Sequence, residues 1–142
     1  MIDVAPLKTA TQQAVDELVA LGRALHEDER TMTFEQLEAL VEEKMIIVMT
    51  IVDNEHIVGM GTLYIIPKIG KTNGLVEDVI VDERYRGQGL GEKLTRAIIE
   101  EAKKRGLNSI TLTSNSNRVA AHKLYEKVGF VKKETDVFKL SF

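Results

Sequence analysis

The chain contains no cysteine, which excludes disulfide bridges, thiolate metal sites and a cysteine nucleophile. Its histidines number only three, His26, His56 and His122, and nothing in their spacing resembles a metal-ligand set, so no metal site is expected. No apolar run reaches membrane-spanning length, and the opening residues MIDVAPLKTATQQAVDEL carry charges where a secretory leader needs an apolar stretch. A cytoplasmic protein with no membrane partner is the expectation. Excess positive charge is absent too. The formal net charge is −3, so nothing draws the chain as a whole to nucleic acid. Repeats and low-complexity tracts are also missing.

What remains is the composition of an ordinary folded domain: 142 residues, 44% apolar and 29% charged, enough for one domain with a real core. Residues 1–142 are expected to form that single domain. Apolar residues recur at helical spacing from Thr11 to Leu25, and Thr33 to Glu43 reads as a second helix, with Thr33 and Gln36 spaced as a capping box. The junction between them, His26 to Arg30, is a charged break that suits either a solvated turn or a movable flap lining an acceptor pocket. The run Met45 to Val52 suits a strand buried on both faces. A polar turn and a second strand, Ile57 to Ile66, follow, with Gly59 and Gly61 marking a bulge or a close backbone approach. Composition predicts a loop from Pro67 to Gly74 and a strand from Leu75 to Val81.

The sequence then reads Arg86-Gly87-Gln88-Gly89-Leu90-Gly91, a glycine bend between that strand and a helical pattern carrying Leu90, Leu94, Ile98 and Ala102 on one stripe. A strand, a glycine bend and a helix N-terminus together make a seat for a phosphate or pyrophosphate. Two familiar phosphate motifs fail on residues. A dinucleotide fingerprint requires glycine at position 92, which is Glu92, and a Walker loop requires Gly-Lys-Ser/Thr, where the chain has Gly91-Glu92-Lys93-Leu94.

Ser109 to Thr113 is a short strand and Arg118 to Lys127 a helix, with Val119, Ala120, Leu124 and Val128 expected to face inward. Further strands are expected at Phe130–Val131 and over Val137 to Phe142, where Phe138, Leu140 and Phe142 alternate with polar neighbours. Strands and helices mix without regular β-α alternation, which predicts an α/β fold with a mixed, mostly antiparallel central sheet and helices on both faces.

A second motif begins 26 residues beyond Gly91: Asn117-Arg118-Val119-Ala120-Ala121-His122-Lys123-Leu124-Tyr125-Glu126-Lys127-Val128-Gly129-Phe130. Together with Arg86-x-x-Gly89-x-Gly91 it resembles the GNAT N-acetyltransferase superfamily, over roughly Tyr64 to the C-terminus. Within that superfamily, Glu77 to Asp82 with Tyr125 to Phe130 is similar to glucosamine-6-phosphate N-acetyltransferases. The resemblance implies an acetyl-CoA-dependent N-acetyltransferase that transfers the acetyl group directly to a primary amine of a small molecule. It implies that Arg86, Gly87, Gln88, Gly89, Leu90 and Gly91 seat the coenzyme A diphosphate through backbone N–H groups. Pantetheine would lie along Val79, Ile80 and Val81, on a strand that splays from the next one.

On the same resemblance Tyr125 is the candidate general acid, since a phenol of pKa about 10 can protonate a leaving thiolate; a core tyrosine is the bland alternative. Glu77 is the favoured base, acting directly or through water, and Asp78 its competitor, because neighbours on a regular strand face opposite ways. Asn117, or Asn115 in a shifted register, is the candidate for bonding pantetheine, with a helix N-cap as the other role for Asn117. His122 is read as packing. Ribosomal-protein acetyltransferases place a glutamate on the strand before the last helix; Ser109-Ile110-Thr111-Leu112-Thr113 has none. The competing functions are a non-catalytic acyl-CoA-binding regulatory module and a protein or peptide acetyltransferase. The alternating C-terminal strand also suits pairing across a homodimer.

Overall fold

The computed structural model describes residues 1–142. Five strands form one sheet in sequence order: β1 (Ile2–Pro6), β2 (Ile46–Asp53), β3 (His56–Lys68), β4 (Lys71–Val81) and β5 (Ser109–Leu112). Every neighbouring pair is antiparallel except β4 and β5, which run parallel. Helices α1 (Gln12–His26) and α2 (Phe34–Glu42) join β1 to β2, α3 (Leu90–Lys104) joins β4 to β5, and α4 (Val119–Lys127) follows β5. The mixed, mostly antiparallel sheet with helices on both faces is the architecture expected.

The continuous apolar run of β2 serves both faces at once. Ile47, Met49 and Ile51 pack with Leu90, Leu94, Ile98 and Ala102 of α3, while Val48 points the other way, into a core shared with Val15, Leu18 and Leu37 of α1 and α2. Thr33 caps α2 with a complete capping box: its hydroxyl accepts from the Gln36 N–H and the Gln36 side chain accepts from the Thr33 N–H.

Gly61 sets the feature on which the site depends. A Cβ there would lie 2.8 Å from Ile98 Cδ1 and 3.3 Å from Val79 Cγ2, so the strand stays bare where α3 presses on it. Opposite Gly61 the register slips, with Thr62 facing Glu77 and Met60 facing Ile80. One residue of β3 thus opposes two of β4, Asp78 and Val79, and Asp78 takes up the slack at φ 56°. This is a β-bulge in a central strand, and a left-handed non-glycine residue there stores strain of about 1–3 kcal/mol.

Three expectations are corrected. The segment from Pro67 to Gly74 is no loop: β3 and β4 continue through it and reverse at Ile69 and Gly70. Val119 and Ala120 do not face inward but are exposed, and Tyr125 is the one buried residue of α4. No strand forms at Phe130–Val131 or over 137–142; residues 131–142 lie exposed with no backbone hydrogen bond, because no strand edge lies beside them. No helix is long and apolar enough to cross a membrane.

Candidate active site

The parallel ladder between β4 and β5 is short. It joins Asn73–Val76 to Ser109–Leu112 and stops, so residues 77–81 have no strand partner on the β5 side. The two strands diverge at the point where β4 bulges. Into this opening project the end of α1, the start of the loop after β5, and Tyr125 from α4. They enclose a cavity of about 530 Å³ lined by residues that include Glu77, Asp78, Val79, Asn115, Asn117 and Tyr125.

The bulge breaks strand alternation, so Glu77 and Asp78 both reach the cavity, where a regular strand would offer only one. Asp78 Oδ1 lies 2.6 Å from His26 Nε2, a residue 52 positions away at the last turn of α1. The helix stops there because Glu27 turns left-handed at φ 53°. His26 and Glu27 therefore line the cavity, whereas Asp28 and Arg30 pair with each other at 2.8 Å. The His26–Asp78 contact is the part of the site that sequence reading missed. Only the charged break after Leu25 hinted at it.

Tyr125 is 7% exposed and meets Phe130 edge to face, ring centroids 5.8 Å apart. Burial pushes its phenol above the ordinary tyrosine pKa, and the nearby Arg118 guanidinium opposes that shift. Tyr64 is shifted upward as well, by burial and then by the charges of Asp78 and Glu77. Asn117 does not cap α4: the N-cap position is Arg118, without a side-chain cap, and the Asn117 side chain lines the cavity.

The glycine bend lies apart from this cavity. A single 3-10 turn, Glu83–Tyr85, leads into it, and Arg86 Nε donates to the Val81 carbonyl at 3.2 Å, fastening the bend to the end of β4. Arg86 lines a second cavity, of about 680 Å³, on the α1 side of β4. Gly87 and Gly89 have φ of 79° and 76°, a region that glycine enters without cost, and nothing lies within 4 Å of where their side chains would be. Gly91 is instead a contact point, where a Cβ would stand 3.3 Å from Leu124 of α4. No side chain caps α3, and the N–H groups of residues 87–92, among them those of Gln88 and Leu90, find no acceptor in the protein. Glu92, in the first turn, bonds Lys127 of α4 at 2.7 Å and Arg96 at 3.0 Å, and these cations hold its carboxyl below the usual range.

Of the strand residues expected beside the bend, only Val79 lines the cavity that holds Tyr125. Ile80 is buried against α1 and α2, and Val81 packs on the α3 side, so both offer only backbone to the cleft. The divergence of β4 and β5 over an uncapped helix and a buried tyrosine agrees with a family comparison. Residues 12–130 match the family described as Acetyltransferase (GNAT) family.

The chain belongs to the GNAT acetyltransferase family.

Among its relatives it is similar to glucosamine 6-phosphate N-acetyltransferase of Trypanosoma brucei brucei, 39% identical over 78 residues, which cover 53% of this chain and 51% of that one. It is also similar to glucosamine 6-phosphate N-acetyltransferase 1 of Oryza sativa subsp. japonica, 31% identical over 108 residues, 73% of this chain and 63% of that one. The chain thus spans between half and two thirds of the length of these relatives. Among solved structures, an aminoglycoside acetyltransferase from an uncultured soil metagenomic sample superposes with a TM-score of 0.89 at 19% identity, covering 99% of this chain and 96% of the other. An acetyltransferase of Trypanosoma brucei superposes with a TM-score of 0.76 at 26% identity over the whole of both chains. The two solved structures share this chain's fold.

Proposed function

We propose that this GNAT protein is an acetyl-CoA-dependent N-acetyltransferase that passes the acetyl group directly to a primary amine of a small molecule. The observation that carries this reading is the opening of β4 from β5 beyond Val76 and Leu112, with Tyr125 buried at its side. The residues fit such a donor. The free N–H groups of 87–92 and the empty space around Gly87 and Gly89 suit a diphosphate, and the unpaired backbone of Val79, Ile80 and Val81 suits an amide-bearing arm. Asn115 and Asn117 add side-chain amides on the opposite wall. When bound, acetyl-CoA supplies an activated acyl group on a thiolate that leaves more readily when protonated.

The protein's own residues divide the remaining work. Tyr125 holds its proton firmly and is the general acid. Glu77, on the cavity side of the bulge, takes the proton from the incoming ammonium, directly or through one water. Asp78 and His26 tie the end of α1 to β4 and so fix the wall of the acceptor side. Glu27, Glu77 and Asp78 set three carboxylates against Arg118 and His26 in this lining, a balance that favours an acceptor carrying positive charge over one carrying a phosphate. The names of the two relatives above point to a phosphosugar, and the choice between these acceptors is open to direct assay.

The test is thiol release from acetyl-CoA across polyamines, aminoglycosides, amino sugars and their phosphates, amino acids and peptides. Turnover with a cationic small amine is the expected result. Acetyl-CoA binding without thiol release over the whole panel favours a non-catalytic module instead, and turnover confined to peptides a protein acetyltransferase. With the best amine in hand, Glu77→Gln is expected to lower kcat/KM by about 10²-fold or more across pH 6 to 9. An unaltered profile removes Glu77 as the base.

A further inference from the structure

Acyl transfer to an amine has a proton balance that Glu77 and Tyr125 alone do not close. The acceptor arrives as an ammonium and leaves as an amide with a single N–H, so its nitrogen sheds two protons, while the departing sulfur gains one from Tyr125. Glu77 takes the first proton and is then spent. When the neutral amine attacks, the C–N bond forms and the nitrogen is cationic again. A second proton must therefore leave it as the C–S bond breaks and its electron pair goes to sulfur. That proton calls for a second acceptor on the same side of the cavity.

One pair of side chains has the form of such an acceptor. His26 Nε2 lies 2.6 Å from Asp78 Oδ1, and no protein group bonds the other ring nitrogen, Nδ1. Beside an ionised carboxylate the proton of a neutral imidazole sits on Nε2, which leaves Nδ1 with a bare lone pair. A base held by a third group in this way is a recurring device for moving protons. Both residues line the cavity with Glu77. The His26 ring is 34% exposed, so a proton gained there has a path to water. Asp78 holds its place at φ 56°, and residues kept in so sparsely populated a region gather at functional sites. With its carboxylate committed to His26, Asp78 does not compete with Glu77 for the ammonium.

The surroundings suit a positive charge on the ring. His26 ends α1, where the helix dipole favours a cation. Asp78 and Glu77 of β4 and the adjoining Glu27 bring three carboxylates to the lining, against Arg118 of α4. Asp28 is occupied by Arg30. Tyr64 of β3 and Tyr125 of α4 stand as neutral phenols, both pushed above the ordinary tyrosine range by burial.

We infer that His26 is a further catalytic residue of the transfer, a second proton acceptor whose Nδ1 takes the proton that the nitrogen sheds as the amide forms, with Asp78 orienting the ring. Of the two protons leaving the nitrogen, one restores the Tyr125 phenolate and the other passes from the exposed imidazole to water, so the cycle closes with the release of one proton.

The inference rests on the acetyl-transfer reading, and one assay separates the two. Thiol release from acetyl-CoA with a cationic small amine is measured for the wild type, His26→Gln and His26→Ala, with a thermal melt of each. Glutamine can still donate to Asp78 and tie α1 to β4, but it cannot take a proton. The expected result is a fall in kcat of about 10²-fold for His26→Gln, with a melting temperature and an acetyl-CoA dissociation constant close to those of the wild type. Free imidazole is expected to raise the rate of His26→Ala in proportion to its neutral form and to leave the wild type unchanged. A His26→Gln variant within a few-fold of the wild-type kcat overturns the inference and leaves His26 as a tie between α1 and β4. So does a folded His26→Ala variant that imidazole does not rescue. Absence of thiol release from the wild type over the whole amine panel overturns the acetyl-transfer reading, and this inference with it.

Discussion

Tyr125→Phe is expected to lower kcat by about 10²- to 10⁴-fold while the dissociation constant for acetyl-CoA stays within a few-fold of the wild type. The substitution removes one oxygen and keeps the ring, so the edge-on contact with Phe130 and the burial of the side chain survive. What is lost is the proton that a departing thiolate would take. Because burial raises the phenol's pKa, the acid form persists through neutral and mildly alkaline pH, and the wild-type rate should show no falling limb from this group below about pH 10. The same shift has a stability side. A folded-state pKa above the unfolded value gives stability that is complete below about pH 10 and is lost as pH climbs through the folded value. Stopped-flow or thiol-trapping assays over pH 6 to 10 read the rate, calorimetric titration reads the dissociation constant for acetyl-CoA, and thermal melts at rising alkaline pH read the stability. A variant that keeps the wild-type kcat assigns Tyr125 to packing alone.

Leu94→Ala should be among the most damaging single substitutions in the chain. Leu94 is 0% exposed in the middle of α3, packed among Leu90, Ile98 and the inward side chains of β2 and β3. Deleting a fully buried leucine side chain costs about 3–5 kcal/mol, from lost transfer energy and the cavity left behind. For a chain of this size that lowers the melting temperature by about 10–15 °C. Two neighbours limit the scope for collapse: Gly61 has no side chain to move, and Ile98 is already pressed against it. Thermal melts followed by circular dichroism, with and without saturating acetyl-CoA, check the prediction. The ligand should recover part of the loss in proportion to its concentration over its dissociation constant. A fall of less than 3 °C would mean that α3 is not held by this core.

Much of the scaffold is legible in the order of residues, because local patterns report local geometry. The stripe Leu90, Leu94, Ile98 and Ala102 became the buried face of α3, the capping box at Thr33 formed, and the chain bends at Gly87 and Gly89, where φ is positive. The pairing of His26 with Asp78 was not legible. It depends on a bulge between β3 and β4 opposite Gly61, a position that α3 crowds and that is remote in sequence from both partners. Alternation gave the wrong account of Glu77 and Asp78 for the same reason: it assumes a regular ladder, and the ladder slips between them and β3. The C-terminal strands failed differently. The pattern at Phe138, Leu140 and Phe142 has the period of a strand, but period alone does not supply a neighbouring edge to pair with. Asn117 has the composition of a cap, yet the helix begins one residue late and leaves it without that task.

The bridge from Glu92 to Lys127 joins the amino end of one helix to the carboxyl end of another, two residues past the phenol. A carboxylate beside an anion's seat would repel that anion, and here Lys127 and Arg96 mask it. Because these groups stand in solvent, dissolved ions compete for them. Rising ionic strength therefore slackens this bridge, and with it the tie between the amino end of α3 and the helix that carries Tyr125.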